Sequence, residues 1–376
     1  MTMTNKTNRF YIKRDFIKRD IGKTATSPAS FALLAVLSFV AISPAYATIS
    51  CAGYLPSSYF ERIENNKPFA GKLIELADGT QQLEDLNGKV ILDGLNDGYI
   101  LMNKYLLNQQ NGKYGVVNAA GKIIVPFKYD DIQTEPDIGT SFIVSVKSLE
   151  GNTKKGIINR HGEWVYPLAN VHIEHANYDA NYDQDYFLVT DNTDNSASNR
   201  KSLTGLLDDR GYWAIHPQYV VIKPLNACTG QPLYLQVSLQ NQTALIDQNN
   251  DVIIPFSANQ HIESFNNNVS PLLFLRSTLV AGSTASGMSE DIQEDIVSAQ
   301  IIDSNGKRLL SSDAPIRKLL YHQLYTFKQA GKVGLINDQG DVVLKPQFDS
   351  YRDDADKVWL QKNGKMVPLE TFIKLD

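Results

Sequence analysis

Four oxygen-bearing side chains alternate along one short stretch, Asp179-x-Asn181-x-Asp183-x-Asp185. Alternating carboxylate and amide oxygens can wrap a hard cation, and calcium is the ion such a set would take. The stretch is no EF-hand, because its sixth and twelfth places hold Gln184 and Thr190 where that loop needs Gly and Glu. His172 and His175 enclose Glu174 at a spacing that suits a helix, in surroundings that read as strand or loop, with no third ligand evident. Ser198-x-x-Lys201 has the spelling of an acyl-transfer nucleophile and base, but it lies in a polar loop rather than at a helix start. No G-x-S-x-G, no G-x-x-x-x-G-K-[ST] and no helix-opening G-x-G-x-x-G occurs. Tyr178, Tyr182 and Tyr186 are of a type that stacks on sugars or packs across strands. Apart from calcium at Asp179, Asn181, Asp183 and Asp185, no cofactor is expected.

The elements that must position these groups are written in the rest of the chain. It has 376 residues, of which 43% are apolar, enough for a sizeable core. With 36 basic and 41 acidic residues the net charge is −5, which argues against a general nucleic-acid partner. Residues 1–47 differ in character from the remainder. Basic residues from Lys6 to Lys23 precede the apolar run FALLAVLSFVAI (Phe31 to Ile42) and the small-x-small site Ala45-Tyr46-Ala47. This is the pattern of a secretory signal peptide, and the run is too short to span a bilayer as a helix. Its removal takes the net charge from −5 to −10. The expected location is periplasmic or secreted. Cys51 has Thr48 three residues before it, where a lipobox would normally place Leu, so a membrane partner is expected only if Cys51 is lipidated. Cys51 and Cys228 are the only cysteines and can form one disulfide in an exported chain.

One seven-residue phrase recurs: a small residue, two apolar residues, Asn or Asp, two free positions, then Gly. GVVNAAG, GIINRHG, GLLDDRG, ALIDQNN, QIIDSNG and GLINDQG carry it, and QLEDLNG is a weaker first copy. The turn pairs are Asp85 and Gly88, Asn118 and Gly121, Asn159 and Gly162, Asp208 and Gly211, Asp247 and Asn250, Asp303 and Gly306, and Asn337 and Gly340. Asn or Asp suits the start of a type I turn because its side chain bonds the backbone two residues on. The last residue takes the left-handed conformation that Gly, and next best Asn, adopts. A hairpin with a bulge results. The strand after it often ends at Pro (Pro126, Pro167, Pro217, Pro255, Pro346), and another strand-like run precedes it. Each unit therefore reads as three antiparallel strands. The tail from Lys357 resembles the opening of an eighth unit that stops early.

These residues resemble the WG-repeat family, also called KWG repeats, with its approximate pattern G-K-W-G-x-I-D-x-x-G-x-x-V-I-P-x-x-Y-D. Gly112 to Asp130 and Gly331 to Asp349 are the best matches, and the likeness runs from about Gly71 to the end. Tyr114, Lys155, Thr204, Thr243 and Val333 stand where the family has Trp. The resemblance implies an all-β repeat protein, usually bacterial, with no catalytic residues to transfer.

The expected organisation is a signal peptide over 1–47, an N-terminal segment over 48–70 and a β-repeat domain over 71–376. The domain would hold about seven three-stranded units, in a propeller-like ring or a curved solenoid, with the unit count favouring the ring. Loops are inserted near 177–199 and 279–299. The expected function is non-catalytic binding or scaffolding at the cell envelope, with a protein or glycan partner. The rival is an envelope hydrolase, which would show two close carboxylates, one with a raised pKa.

Overall fold

The computed structural model describes residues 71–101, 105–118, 120–134, 141–179, 184–192, 202–225, 232–266, 272–280, 296–320, 322–354 and 357–374. Residues 1–47, where a signal peptide is expected, and Cys51, Cys228, Asn181, Tyr182, Asp183, Ser198 and Lys201 lie outside them.

The fold is all-β. Its first sheet joins β1 (Gly71–Glu75), β2 (Gln81–Asp85), β3 (Val90–Leu101), β4 (Tyr105–Gln110), β5 (Lys113–Asn118) and β6 (Ile123–Tyr129) in chain order. The second holds β7 (Asp131–Gln133), β8 (Ser141–Lys147), β9 (Thr153–Asn159) and β10 (Trp164–Ala169). The third holds β11 (Val171–Asp179), β12 (Gln184–Asp191), β13 (Thr204–Asp208) and β14 (Trp213–Tyr219). The fourth holds β15 (Val221–Pro224), β16 (Tyr234–Leu239), β17 (Gln242–Asp247) and β18 (Val252–Ser257). The fifth holds β19 (Gln260–Ser264), β20 (Leu273–Leu279), β21 (Ile296–Asp303) and β22 (Arg308–Ser312). The sixth holds β23 (Arg317–Lys318), β24 (Leu324–Gln329), β25 (Lys332–Asn337) and β26 (Val342–Phe348). The seventh has three strands, β27 (Ser350–Asp354), β28 (Lys357–Lys362) and β29 (Lys365–Pro368), then a 3-10 turn over Leu369–Thr371.

Neighbouring strands within each sheet pair antiparallel. The three strands per unit read from the pattern gain a fourth, a short first strand such as β7 that comes after the crossover from the Pro-containing strand. The first sheet contains two units. They share β3, whose register against β4 shifts between Asn96 and Tyr99.

The two apolar residues of each phrase explain how the sheets stack. Successive strand residues face opposite sides, so each phrase faces both neighbours at once. Val117 packs back on Leu83 and Leu95 of the first unit, while Val116 packs forward on Phe142 and Val144. Ile158 and Ile157 divide in the same way, as do Leu207 and Leu206, Ile246 and Leu245, Ile302 and Ile301, and Ile336 and Leu335. Each interface between successive units thus holds one apolar cluster, and the central strands are buried on both faces. In the first copy Glu84 replaces the second apolar residue. Among the described residues, no apolar cluster covers that side of β2.

At all seven hairpins the anchor Oδ1 accepts two backbone N–H groups, those of the residues two and four further on, at 2.8–3.0 Å. The closing residue has φ between +69° at Asn250 and +86° at Gly211. At Gly306 a second constraint applies, since a Cβ there would sit 2.8 Å from the Ile253 carbonyl oxygen of the preceding sheet. The turn therefore packs on the neighbour's outer strand as well as reversing the chain.

The crossovers are tied by charge. Asp130 pairs with Lys113 of its own unit and accepts the Lys147 N–H of the next sheet at 2.8 Å. Asp349 pairs with Lys332 in the corresponding place. Both carboxyls are held below their usual 3.8, first by the lysine hydrogen bond. Carboxylates with a depressed folded pKa stabilise above the unfolded value, and the contribution is lost as pH falls through the folded one. The double variant Asp130→Asn, Asp349→Asn is accordingly expected to melt below the parent at pH 7. The gap should narrow as pH falls below 3.8 and the folded carboxylates take up protons. A gap that does not narrow over that range, measured by thermal unfolding, would contradict the ionic assignment.

Candidate functional site

The densest group of buried polar side chains lies at the hairpin end of the third sheet. β11 and β12 place Tyr178 opposite Asp185 and Asp179 opposite Gln184. Strand alternation then sends Asp179 and Asp185 to opposite faces. Toward the fourth sheet, Gln184 donates to Asp208 Oδ2 at 2.6 Å, and the Arg210 guanidinium donates to the same oxygen at 2.8 and 3.0 Å. Gln248, from the fourth sheet, donates to Asp179 Oδ2 at 3.5 Å. Tyr186 stands among them, and burial, with Asp179 and Asp208 adding to it, pushes its hydroxyl up to about 12.

Toward the second sheet, His175 Nε2 lies 3.0 Å from Asp185 Oδ1 and its ring packs edge-on against Phe187. Asp209 donates its backbone N–H to the Asp185 carbonyl at 3.0 Å. Burial pushes the Asp209 carboxyl up to about 6. The charges of Asp185 and Asp208 add to the rise, while a backbone hydrogen bond from Asp185 and the Arg160 cation oppose it.

This arrangement bears on each sequence candidate. The two described members of the calcium set, Asp179 and Asp185, are split between faces, Asp179 meeting Gln248 of the fourth sheet and Asp185 meeting His175 of its own. No group of three His, Cys, Asp or Glu side chains among the described residues converges to hold a metal. His172 is exposed beside Glu174 and His175 is directed inward, so the two do not meet. Tyr178 and Tyr186 are buried in sheet packing rather than open to a sugar. Asp209 carries the raised carboxyl that hydrolysis would need. Its neighbours Asp185 and Asp208, however, are occupied by His175, Gln184, Arg210 and the turn itself, so neither is free to attack or to hold water. The geometry is that of a polar interface lock.

Asp209 escapes a reading in which the first position after each anchor is free. After Leu86 and Ala119 in the first two copies, that position holds Arg160, Asp209, Gln248, Ser304 and Asp338, and burial also raises Asp338. A run of polar or charged residues at one repeat position is the signal that marks it. Asp208→Asn keeps the turn acceptor at Oδ1 but replaces the Oδ2 acceptor with a donor facing Gln184 and Arg210. It is expected to cost about 1–2 kcal/mol, read as a lower urea midpoint at constant slope. A loss under about 0.3 kcal/mol would show that the lock contributes nothing.

The opposite end of the sheets differs. In an antiparallel unit, second-to-third connections and crossovers share the end away from the third-to-fourth turns. Of the loops expected near 177–199 and 279–299, β12 takes up 184–191 and β21 begins at Ile296, because both stretches pair in register with their neighbours. The remaining insertions, 193–201 between β12 and β13 and 281–295 between β20 and β21, leave from that end. Leu149, Leu239, Val280 and Val297 are exposed there, as Leu86, Tyr212 and Leu320 are at the hairpin end.

Residues 114–135 and 334–365 match the family model of the WG containing repeat. No curated protein matches the sequence. Among solved structures, a eukaryotic initiation factor is similar at 8% identity and a TM-score of 0.33, over 75% of this chain and 76% of that one. The β-propeller domain of the Trilobed protease from Pyrococcus furiosus is similar at 10% identity and 0.27, over 82% and 98%. A putative TolB from Agrobacterium tumefaciens is similar at 16% identity and 0.24, over 60% and 84%.

Proposed function

For a WG-repeat protein whose family matches run from its first sheet into its second and from its sixth into its seventh, at 114–135 and 334–365, we propose non-catalytic binding or scaffolding at the bacterial cell envelope. The location would be periplasmic or secreted, after loss of residues 1–47. The partner is a protein or a glycan, taken on the end of the sheets where second and third strands join. One observation carries this reading: both long insertions, 193–201 and 281–295, fall on that same end. Sheet packing consumes both faces of the central strands, so variation without loss of the fold is confined to connections. A surface that combines long loops with exposed apolar side chains suits recognition more than chemistry.

The test is capture from an envelope extract with the full chain as bait, beside a chain in which 281–295 is replaced by a two-residue turn. The expected result is a retained partner that the shortened chain loses, with no turnover of a glycan or peptide library by either. Identical capture by both chains would sink the assignment to this end. Turnover abolished by Asp209→Asn would instead favour the hydrolase.

A further inference from the structure

One position of the second strand breaks the pattern of the stack. Counted from the residue opposite each turn anchor, the fourth residue is Val144, Val189, Val237 and Phe327 in the second, third, fourth and sixth sheets, and all are buried between sheets. The two units of the first sheet place Ile74 and Asn108 there, neither of them charged. The fifth sheet has Arg276. The residue opposite changes with it. Val144 faces Gly156, Val189 faces Gly205, Val237 faces Ala244 and Phe327 faces Gly334, whereas Arg276 faces Gln300. A cation and an amide thus replace an apolar side chain and a residue with little or no side chain.

Arg276 is held from two sides. Its Nε donates to Gln260 Oε1 at 2.7 Å and its Nη1 to Gln300 Oε1 at 3.5 Å. Gln260 is buried and fixed in turn, its amide donating to the Thr243 and Pro255 carbonyls of the fourth sheet. Gln260 therefore joins the two sheets. The guanidinium does not, since both of its acceptors belong to its own sheet. Neither acceptor carries charge, and no described carboxylate pairs with Arg276. A guanidinium has five N–H donors, and these two bonds leave the rest without an acceptor among the described residues. A half-buried cation costs stability unless a counter-charge offsets it, and Val237 shows that a unit folds without one here.

Phe274, two residues earlier on the same face, packs on Leu245 and Ile254, so Arg276 also faces the fourth sheet. Next on this face Thr278 pairs with Ser298, both half-buried. They lead to Leu279 and the end from which 281–295 leaves, about 10 Å along the strand from Arg276. The approach from that end is polar.

We infer that Arg276, set by Gln260 and Gln300 between the fourth and fifth sheets, is the seat for a carboxylate of a protein partner. One positive charge beside two amide oxygens suits a singly charged planar anion, which a guanidinium grips by two parallel bonds. Those oxygens would repel a phosphate dianion. An Asp, Glu or terminal carboxylate reaches a half-buried seat on a flexible stem, whereas the carboxylate of an acidic sugar is held against its ring. The inference rests on the reading of that end as a binding surface, and it chooses protein over glycan.

Heat unfolding of the full chain tests it with N-acetylglutamate α-amide, N-acetylalanine, glucuronate and inorganic phosphate, each against chloride at equal ionic strength. The expected result is a saturable rise in Tm with one or both of the first two, larger than with glucuronate or phosphate. A response to the first alone marks a side-chain carboxylate, and to the second alone a chain terminus. Arg276→Val with Gln300→Ala, which copies Val237 and Ala244, is expected to fold and to lose the rise. No rise in the parent, an equal rise in the variant, or a larger one with glucuronate or phosphate overturns the proposal. Should the variant not fold, the Arg276 Nε–H resonance of the parent decides. It is expected to shift with the carboxylate and saturate, and an unmoved resonance overturns the site. Envelope capture separates this site from the reading it rests on. A parent that responds to carboxylate but captures no partner keeps the site and sinks that reading, and capture without a carboxylate response does the reverse.

Discussion

Gly205→Ala is expected to destabilise the chain by about 3 kcal/mol or more, although its backbone conformation suits any residue. A Cβ there would meet the Ile215 carbonyl oxygen at 2.6 Å, the Pro217 nitrogen at 2.7 Å and the Trp213 ring at 2.8 Å. Two of these are backbone atoms that cannot swing aside. The cause is the register of β13 on β14. Thr204 pairs with Tyr219 and Leu206 with Ile215, so the fourth strand carries two extra residues opposite Gly205. Gly115 and Gly334 face the same double excess. Where one residue is in excess the position holds Gly156, Ala244 or Gln82, and where none is, Gln300. Gln300→Ala is therefore the control, at less than about 1 kcal/mol. Chemical denaturation of the two variants measures the contrast. Equal losses would mean that the bulge does not dictate the glycine.

Asp209→Asn is expected to act in the opposite direction. The folded carboxyl is raised from 3.8 to about 6, chiefly by burial. A group whose acid form is favoured by folding costs nothing when both states are protonated, below about pH 4. The penalty grows as pH rises from there and is complete above about pH 6. Asp209 is only partly buried, so solvent screening reduces what that rise is worth to about 1 kcal/mol. An amide still accepts the Asp185 backbone hydrogen bond and has no charge to desolvate or to repel Asp185 and Asp208. The variant should be more stable than the parent at about pH 7.5, by about 1 kcal/mol, and equal to it near about pH 3.5. Stability curves at the two pH values check this. A variant that is weaker at the higher pH would show that Arg160 pairing outweighs burial.

Much of the architecture was legible because its signals are short-range. Asp247, two residues and Asn250 encode a turn within four positions, and Leu245 with Ile246 announces a strand buried on both sides. The short first strands were not legible. β7 has three residues and β23 two, too few to show a period. The polar lock was half legible. Asp179 and Asp185 draw attention by alternating along the chain, but alternation in a strand separates faces, whereas a cation-binding loop would fold the same donors together. Asp209 stays inconspicuous because its environment is supplied by Asp185, from a strand 24 positions earlier in the chain.

The amino-acid order by itself determined the hairpin of each unit, its seven turns and the all-β class, because each needs only neighbours in the chain to form. Only the tertiary structure decided the fourth strand of each sheet, which glycines are obligatory and which acids share a face. Those depend on the register between strands and on the approach of the next sheet, and both are set by packing across distances that no local pattern records.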